Sequence, residues 1–283
     1  MRLLVFGGAG IVGRAMVAEA GRRGWAVDGP VRDRTDVTDA AAVADALAAF
    51  RPGLVVNCAA MTAVDACERE REQAFRLNGD AVGILAAAAA RAGARFVHIS
   101  TDYVFDGEGA APYAEDHPTA PRSVYGASKL EGERLALAVP GTLLVRTSWI
   151  FGHGGANFVD TMRAKMAAPD GPLSVVADQV GAPTWAPFLA RALADLGESG
   201  ADGIVHYQNR PAVSWYEFAL EIARRLGSAI EIRPATSAEV PRPAPRPRYS
   251  VLAVERFERL AGRPVEDWRE GLAEHLKSCQ ERR

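Results

Sequence analysis

Short apolar runs alternate with longer amphipathic stretches along the first half of the chain. Each run is short enough to be a buried strand of a parallel sheet, and each amphipathic stretch repeats its apolar residues with helical spacing. A strand, a helix and a second parallel strand form a right-handed crossover unit. The pattern therefore predicts an α/β fold with a Rossmann-type doubly wound parallel sheet. The predicted strands are Leu3–Phe6, Trp25–Val27, Leu54–Cys58, Phe96–Ile99 and Leu143–Val145.

Residue types at the helix starts refine the boundaries. The first helix, Ile11–Arg23, follows a glycine-rich turn, and Asp39 is the predicted N-cap of the second, Asp39–Phe50. Asp65 and Glu68 are three positions apart, which resembles a capping box that opens the third helix.

The pattern loosens after about residue 150 and predicts a smaller, mixed α/β lobe. We therefore predict a Rossmann domain over residues 1–150 and a second lobe over residues 151–283, with the two interleaved. The proline-rich stretch 234–247 is predicted as an ordered loop that precedes a helix near Val265–Leu276. Other elements predicted in this lobe are strands Leu173–Val176, Ile204–Tyr207 and Ile230–Ile232, and helices near Ala156–Ala167, Ala186–Leu196 and Ser214–Leu226.

Composition and charge argue against several classes of protein. A net charge of −2 provides no basic surplus to bind a nucleic-acid backbone or an anionic membrane. The longest uncharged apolar stretch, Ile84–Ala90, is far below the ~20 residues that cross a bilayer, and the N-terminal apolar run is too short for a signal peptide. Three cysteines without C-x-x-C spacing argue against a disulfide framework. We expect a cytoplasmic protein without nucleic-acid or membrane partners.

A glycine turn separates the first predicted strand from the first helix. Its G-x-x-G-x-x-G spacing lets main-chain N–H groups at a helix N-terminus approach a pyrophosphate, which a Cβ would hold off. The alternative is a strand-to-helix turn without a ligand. We expect contacts with a dinucleotide at Gly7, Gly10, Ile11, Val12 and Gly13.

Cofactor choice is expected to depend on the loop after the second strand. Arg32, with Arg34 nearby, can pair with a 2′-phosphate, which favours NADPH. Asp33 can instead bind a free ribose hydroxyl, so NADH remains the alternative.

Tyr125 and Lys129 are one helical turn apart, on the same face of a predicted helix. A tyrosine has a reference pKa of ~10, and a nearby cation lowers the pKa of the phenol towards neutrality and makes it an acid catalyst. The chain has 33 lysines and arginines together, of which Lys129, Lys165 and Lys277 are lysines, so a lysine at this spacing is unusual. The alternative is a surface pair on a helix.

A hydroxyl that could bind a carbonyl oxygen follows the fourth predicted strand. Ser100 and Thr101 are both candidates, and because adjacent side chains at a strand end point opposite ways, one of them can serve. His98, within the strand, is interpreted as a core histidine. The other histidines lack metal-ligand spacing.

The chain resembles the dTDP-4-dehydrorhamnose reductase family of extended short-chain dehydrogenases/reductases. The resemblance rests on the glycine turn and on segments 56–65, 100–107, 124–130, 146–152 and 176–184. It implies Thr101 as the catalytic hydroxyl, Tyr125 as proton donor and Lys129 on the nicotinamide ribose. It also implies cofactor contacts at Asp36, Val37, Ala59, Ala60 and Thr62, and substrate contacts at Thr101, Asp102, Tyr103 and Trp149.

Two segments depart from the family pattern. The family's Arg-Pro-x-Asn-Ser-x-Leu-Asp stretch corresponds to residues 246–253, where Tyr249 and Ala253 replace the Asn and Asp. Acidic residues that hold magnesium between subunits in some members have no match, since Arg14 and Ala15 occupy the N-terminal position. We therefore expect no metal.

The function that the resemblance implies is reduction of the C4 ketone of dTDP-4-dehydro-6-deoxy-L-mannose to dTDP-L-rhamnose by NAD(P)H. The second lobe, residues 151–283, would bind this nucleotide-sugar substrate. Alternatives are 4-ketoreduction of another deoxysugar nucleotide and a non-catalytic role as an NADP-binding regulatory subunit. Whether the protein forms a homodimer is left open.

Overall fold

A parallel sheet of six strands forms the centre of the structure, a computed structural model that describes residues 1–31, 33–168 and 170–281. Its order is β10-β5-β4-β3-β1-β2. All neighbouring strands in this sheet are parallel, which confirms the predicted α/β class with a doubly wound sheet. The strands are β1 (Arg2–Phe6), β2 (Ala26–Asp28), β3 (Leu54–Asn57), β4 (Arg95–Thr101), β5 (Leu143–Thr147), β6 (Ile150–Phe151), β7 (Leu173–Val176), β8 (Val180–Gly181), β9 (Thr184–Trp185), β10 (Gly203–His206), β11 (Val213–Ser214) and β12 (Ile232–Ala235).

Helices cover both faces of this sheet because its strands are apolar on both sides. Leu3 and Val5 of β1 join one buried cluster, whereas Leu4 and Phe6 join another on the opposite face. No helix in the described part of the chain combines the length and apolar character needed to cross a membrane. The helices are α1 (Ile11–Arg22), α2 (Ala40–Phe50), α3 (Val64–Arg69), α4 (Arg71–Phe75), α5 (Ala81–Arg91), α6 (Val124–Leu137), α7 (Phe158–Ala167), α8 (Ala186–Ser199), α9 (Trp215–Leu226), α10 (Glu255–Ala261) and α11 (Trp268–Glu281).

The chain leaves the large sheet after β5 and later returns to it. β7 and α7 lie between these passages, and they pack with elements that follow β10: β7 pairs with β12, and α7, α9 and α11 surround a third apolar cluster. β10 then pairs with β5 at the edge of the large sheet, and α8 packs against α1. Elements from both halves of the chain therefore build the sheet layer.

Two side chains of the predicted capping box have tertiary partners instead. α3 begins at Val64, one residue before Asp65, so the predicted capping box is wrong. Asp65 forms an ion pair with Arg246 at 2.9 Å, and Glu68 accepts a hydrogen bond from the Val124 N–H at 2.8 Å. These partners come from distant segments, which local spacing does not reveal.

The proline-rich stretch passes along the loop that follows β4. Its continuation is fixed by main-chain hydrogen bonds, from Tyr249 N–H to the Gly107 oxygen at 2.9 Å and from Tyr113 N–H to the Val251 oxygen at 2.9 Å. The strand predicted at 230–232 begins two residues later, as β12, and α10 was not predicted. The stretch thus brings Arg246 next to the carboxyl end of the sheet.

Candidate active site

The candidate site residues lie at the carboxyl ends of the parallel strands. The glycine turn follows β1, Ala59 follows β3, and Thr101 is the last residue of β4. In open α/β sheets this edge is where ligands bind.

The glycine turn is tightly packed at two glycines and open at a third. A Cβ on Gly13 would lie 2.1 Å from the Gly7 oxygen, and one on Gly7 would lie 2.6 Å from the Ala59 nitrogen. A Cβ on Gly10, by contrast, would meet the Gly7 oxygen at 3.4 Å and nothing closer. Gly10 is the N-cap of α1 and no side chain caps this helix, so its first N–H groups suit an anion. The turn therefore fits a dinucleotide pyrophosphate.

Ile11 and Val12, which open α1, differ in their surroundings. Ile11 is partly exposed and lies against the glycines of the loop after β6, while Val12 is buried in the core. The cofactor contacts predicted for Ile11 and Val12 would therefore be made mainly by their main-chain N–H groups in the first turn of α1.

The loop after β2 is described except at Arg32, whose predicted contact lies outside the described residues. Arg34 forms an ion pair with Asp28 on the surface. Asp36 Oδ1 accepts hydrogen bonds from the N–H and the hydroxyl of Thr38, both at 2.9 Å, and Val37 is buried.

Ala59, Ala60 and Thr62 follow β3. Asn57 Oδ1 accepts a hydrogen bond from Ala59 N–H at 3.0 Å, which fixes the start of this segment. Ala59 and Ala60 are half-buried and Thr62 is exposed, so all three retain surface that a cofactor could cover.

Thr101 and Tyr125, the predicted hydroxyl and proton donor, lie near each other at the end of β4. The Thr101 hydroxyl donates to Asp102 Oδ1 at 2.9 Å and accepts from Tyr103 N–H at 3.2 Å. Burial raises the pKa of Tyr125 above its ordinary value, and a hydrogen bond with Thr101 partly opposes this rise. The phenol is therefore protonated at neutral pH. Ser100, the other candidate, has no hydrogen-bond partner for its buried hydroxyl among the described residues.

Lys129 is buried, and its ammonium does not lie on the Tyr125 phenol as the spacing suggested. Its Nζ donates to the Ile99 oxygen at 2.6 Å and lies 3.2 Å from His98 Nε2. Burial lowers the pKa of Lys129 to about 8, although Glu133 acts in the opposite direction. His98 is fully buried, and burial together with Lys129 holds its pKa well below the ordinary value.

Asp102 and Tyr103, the predicted substrate contacts, lie next to Tyr125. Burial raises the pKa of Asp102 to about 6, and the Tyr103 ring meets the Tyr125 ring edge-on with centroids 5.4 Å apart. Tyr103 also lines a small cavity together with Phe105, Asp106, Arg122, Ser123, Pro245, Arg246 and Pro247.

Trp149 is held in an unusual conformation by its neighbours. Its φ is 45°, a left-handed value that costs a bulky residue on the order of 1–3 kcal/mol. Its indole stacks on Trp215 with centroids 3.4 Å apart, and a Cβ on Gly181 would lie 2.5 Å from that indole. The packing of two distant segments thus orients Trp149.

Sequence reasoning did not propose Arg122, Trp215 or Arg246 as binding residues. The two arginines add positive charge to the cavity beside Tyr103, and Trp215 extends the aromatic surface of Trp149. The Arg-Pro pattern at residues 246–247 could have indicated Arg246. No local sequence pattern indicated that Trp215 stacks on Trp149.

Known proteins match this chain over nearly its whole length. The family model described as RmlD substrate binding domain matches residues 1–281. A dTDP-4-dehydrorhamnose reductase of Streptomyces griseus is 45% identical, covering 96% of this chain and 92% of its own. A probable dTDP-4,6-dihydroxy-2-methyloxan-3-one 4-ketoreductase of Streptomyces antibioticus is also 45% identical, covering 97% and 94%. The crystal structure of a dTDP-4-dehydrorhamnose reductase from Bacillus anthracis in complex with NADP has a TM-score of 0.93 at 33% identity, covering 98% of this chain and 99% of its own.

The fold and the Tyr125–Lys129 pair place the protein in the class of Rossmann-type short-chain dehydrogenases/reductases. Within that class, the chain belongs to the dTDP-4-dehydrorhamnose reductase family, as its sequence motifs predicted.

Proposed function

We propose that the protein is an NADPH-dependent oxidoreductase that reduces the C4 ketone of dTDP-4-dehydro-6-deoxy-L-mannose to dTDP-L-rhamnose. The observation that carries the proposal is the arrangement at the end of β4: Thr101 ends the strand, Tyr125 packs against Tyr103 two residues further on, and Lys129 is buried one helical turn from Tyr125. The relatives named as dTDP-4-dehydrorhamnose reductases support this substrate. The Bacillus anthracis complex with NADP supports the cofactor, with NADH as the alternative.

Side chains of the protein would supply the proton that the reduced C4 oxygen needs. When bound, NADPH supplies the hydride for C4. Tyr125, which burial keeps protonated, donates its proton to the oxygen at C4 as negative charge develops there. The Thr101 hydroxyl turns its hydrogen from Asp102 to the same oxygen. Lys129 in its ammonium form would bind the ribose hydroxyls.

The cavity beside Tyr103 suits the diphosphate of the nucleotide sugar. Arg122 and Arg246 line it, and guanidinium groups bind phosphate oxygens through two parallel hydrogen bonds. Arg246 is held by Asp65, which presents it at this edge. Tyr103 and Trp149 would contact the sugar, and the second lobe would close over it.

A related ketoreductase is the second candidate. The Streptomyces antibioticus relative, named for a different 4-keto sugar, is as similar as the Streptomyces griseus reductase. Tyr249 and Ala253 also depart from the family stretch, and the Tyr249 ring packs near Tyr113, with centroids 6.3 Å apart, rather than supplying an amide. These changes favour testing more than one deoxysugar.

The test is NADPH consumption with a panel of dTDP- and UDP-linked 4-keto sugars, followed by identification of the product by NMR. We expect turnover with dTDP-4-dehydro-6-deoxy-L-mannose to exceed that with the other sugars. A higher kcat/KM with another 4-keto sugar would support the second candidate. NADPH binding without consumption of any sugar would contradict catalysis and indicate a regulatory subunit.

A further inference from the structure

Three side chains of metal-ligand type meet in the second lobe although they are separated in the sequence. His153 follows β6, whereas His275 and Cys279 belong to α11. One ligand atom of each lies within 4.8 Å of those of the other two. Asp160, in the first turn of α7, contributes an oxygen 3.4 Å from His275 Nε2 and 3.9 Å from Cys279 Sγ.

Local structure orients each of these side chains. His275 and Cys279 are four residues apart and therefore share a face of α11. Asn157, the N-cap of α7, donates to Asp160 Oδ2 at 2.7 Å, and Arg163 pairs with Asp160 Oδ1 at 3.2 Å, so this carboxylate stands beside the cluster as a hydrogen-bond acceptor. The Ser278 hydroxyl lies 2.6 Å from His153 Nε2 and orients that ring. Hydrogen bonds of this kind orient the ligands of protein metal sites.

The distances differ from those of a hydrogen-bonded triad. In a triad, the carboxylate and the thiol bind different nitrogens of the imidazole. Here Cys279 Sγ, at 3.8 Å, and Asp160 Oδ1, at 3.4 Å, both approach Nε2 of His275. The His275 N–H can point at Asp160 Oδ1, which also accepts from the Cys279 thiol at 3.9 Å, so the thiol is not aimed at the imidazole as it is in a triad. Ligand atoms at about 2.0–2.3 Å from one tetrahedral zinc ion are separated by roughly 3.3–3.8 Å, and Cys279 Sγ and His275 Nε2 already have this separation, at 3.8 Å.

We propose that His153, His275 and Cys279 form a site for a divalent transition-metal ion, with Zn²⁺ as its ion. Thiolate and imidazole ligands suit Zn²⁺ and disfavour Mg²⁺, which prefers oxygen. Binding forms the Cys279 Sγ–metal bond and releases the thiol proton to water. These three ligands come from α11 and the loop after β6, so a bound ion would tie these two segments together. The histidines lack metal spacing in the sequence because the ligands come from two distant segments.

Metal titration of the chelator-treated full-length protein tests the site. We expect roughly one Zn²⁺ or Co²⁺ per chain in equilibrium dialysis, a thiolate-to-cobalt charge-transfer absorption with Co²⁺, and a Zn²⁺-dependent rise in Tm. Mg²⁺ should produce no rise in Tm.

Paired cysteine variants separate the site from adventitious binding. Cys279→Ser should lose the charge-transfer absorption and the Zn²⁺-dependent rise in Tm, while Cys67→Ser, which removes a buried thiol of α3, should keep both. His153→Gln changes a partly exposed ligand and should weaken Co²⁺ binding at least about tenfold even if variants of buried His275 fail to fold. Absence of the charge-transfer absorption in the wild type, or its retention in Cys279→Ser, would overturn the proposal.

Discussion

Lys129 Nζ lies 3.2 Å from Nε2 of His98, and the protonation states of these two buried side chains depend on each other. Asn57 Oδ1 accepts from Ala59 N–H, so its Nδ2 faces His98 Nδ1 at 3.1 Å. An amide NH₂ only donates, which makes Nδ1 an acceptor and places the imidazole proton on Nε2. That proton points at Nζ, and an amine can accept it only when neutral. The contact therefore favours neutral Lys129, in the same direction as the lowering of its pKa to about 8 by burial.

The pH profile of activity should fall on its alkaline side because Lys129 loses its proton there, a decrease that we call the alkaline limb. We expect kcat/KM for NADPH to fall as the pH rises above about 8, because the ammonium that would bind the ribose loses its proton. In Lys129→Arg the guanidinium stays charged at every accessible pH, so the remaining activity should lack this limb. His98→Leu removes the N–H that favours the neutral amine and should move the limb to higher pH. An unchanged limb in Lys129→Arg would assign it to another group.

Stability should also depend on pH through Lys129. Its folded-state pKa of about 8 lies below the ordinary 10.5, so the unfolded chain binds more protons between these values. The free energy of unfolding should therefore rise with pH across this interval, by on the order of 3 kcal/mol in total, whereas below pH 8 Lys129 lowers it by a constant amount and adds no pH dependence. Denaturant unfolding of the wild type and Lys129→Met at several pH values measures this as a difference. Parallel pH dependences would contradict burial of the charge.

Tyr125→Phe removes one hydroxyl and leaves the aromatic packing against Tyr103 in place. We expect turnover to fall by roughly 10²–10⁴, since no other group donates the proton, while NADPH affinity stays within about threefold. Single-turnover kinetics and cofactor titration measure the two quantities separately. Turnover close to that of the wild type would exclude Tyr125 as the acid.

The strands, the glycine turn and the Tyr125–Lys129 spacing were predictable because each depends on residues close together in the chain. The ion pair of Arg246 with Asp65 and the stacking of Trp149 on Trp215 join distant segments, so periodicity could not reveal them. Tertiary packing likewise overrides local preference at Trp149, whose positive φ is rare for a bulky residue. Helical spacing correctly predicted the face of α6 on which Lys129 lies. It could not predict the hydrogen bonds of Lys129, because their partners, Ile99 and His98, belong to β4.

Cofactor preference should depend on Arg32 and not on its neighbour Arg34. Arg32 follows β2 in the sequence, where a 2′-phosphate would bind, and a charge-assisted hydrogen bond contributes about 1.5–3 kcal/mol. Arg34 is a matched control because it is exposed and already paired with Asp28. Arg32→Ala should therefore lower kcat/KM for NADPH at least about tenfold while kcat/KM for NADH changes little. Arg34→Ala should leave the ratio of the two values within about twofold.

Asp33 provides the opposing outcome of the same measurement. A carboxylate that binds the ribose 2′-hydroxyl selects NADH, because it repels a 2′-phosphate. If Asp33 has that role, the wild type prefers NADH, and Asp33→Ala raises kcat/KM for NADPH instead of leaving it unchanged. A wild-type preference for NADH, or an equal loss with both cofactors in Arg32→Ala, would therefore reject Arg32 as the residue that selects the phosphate.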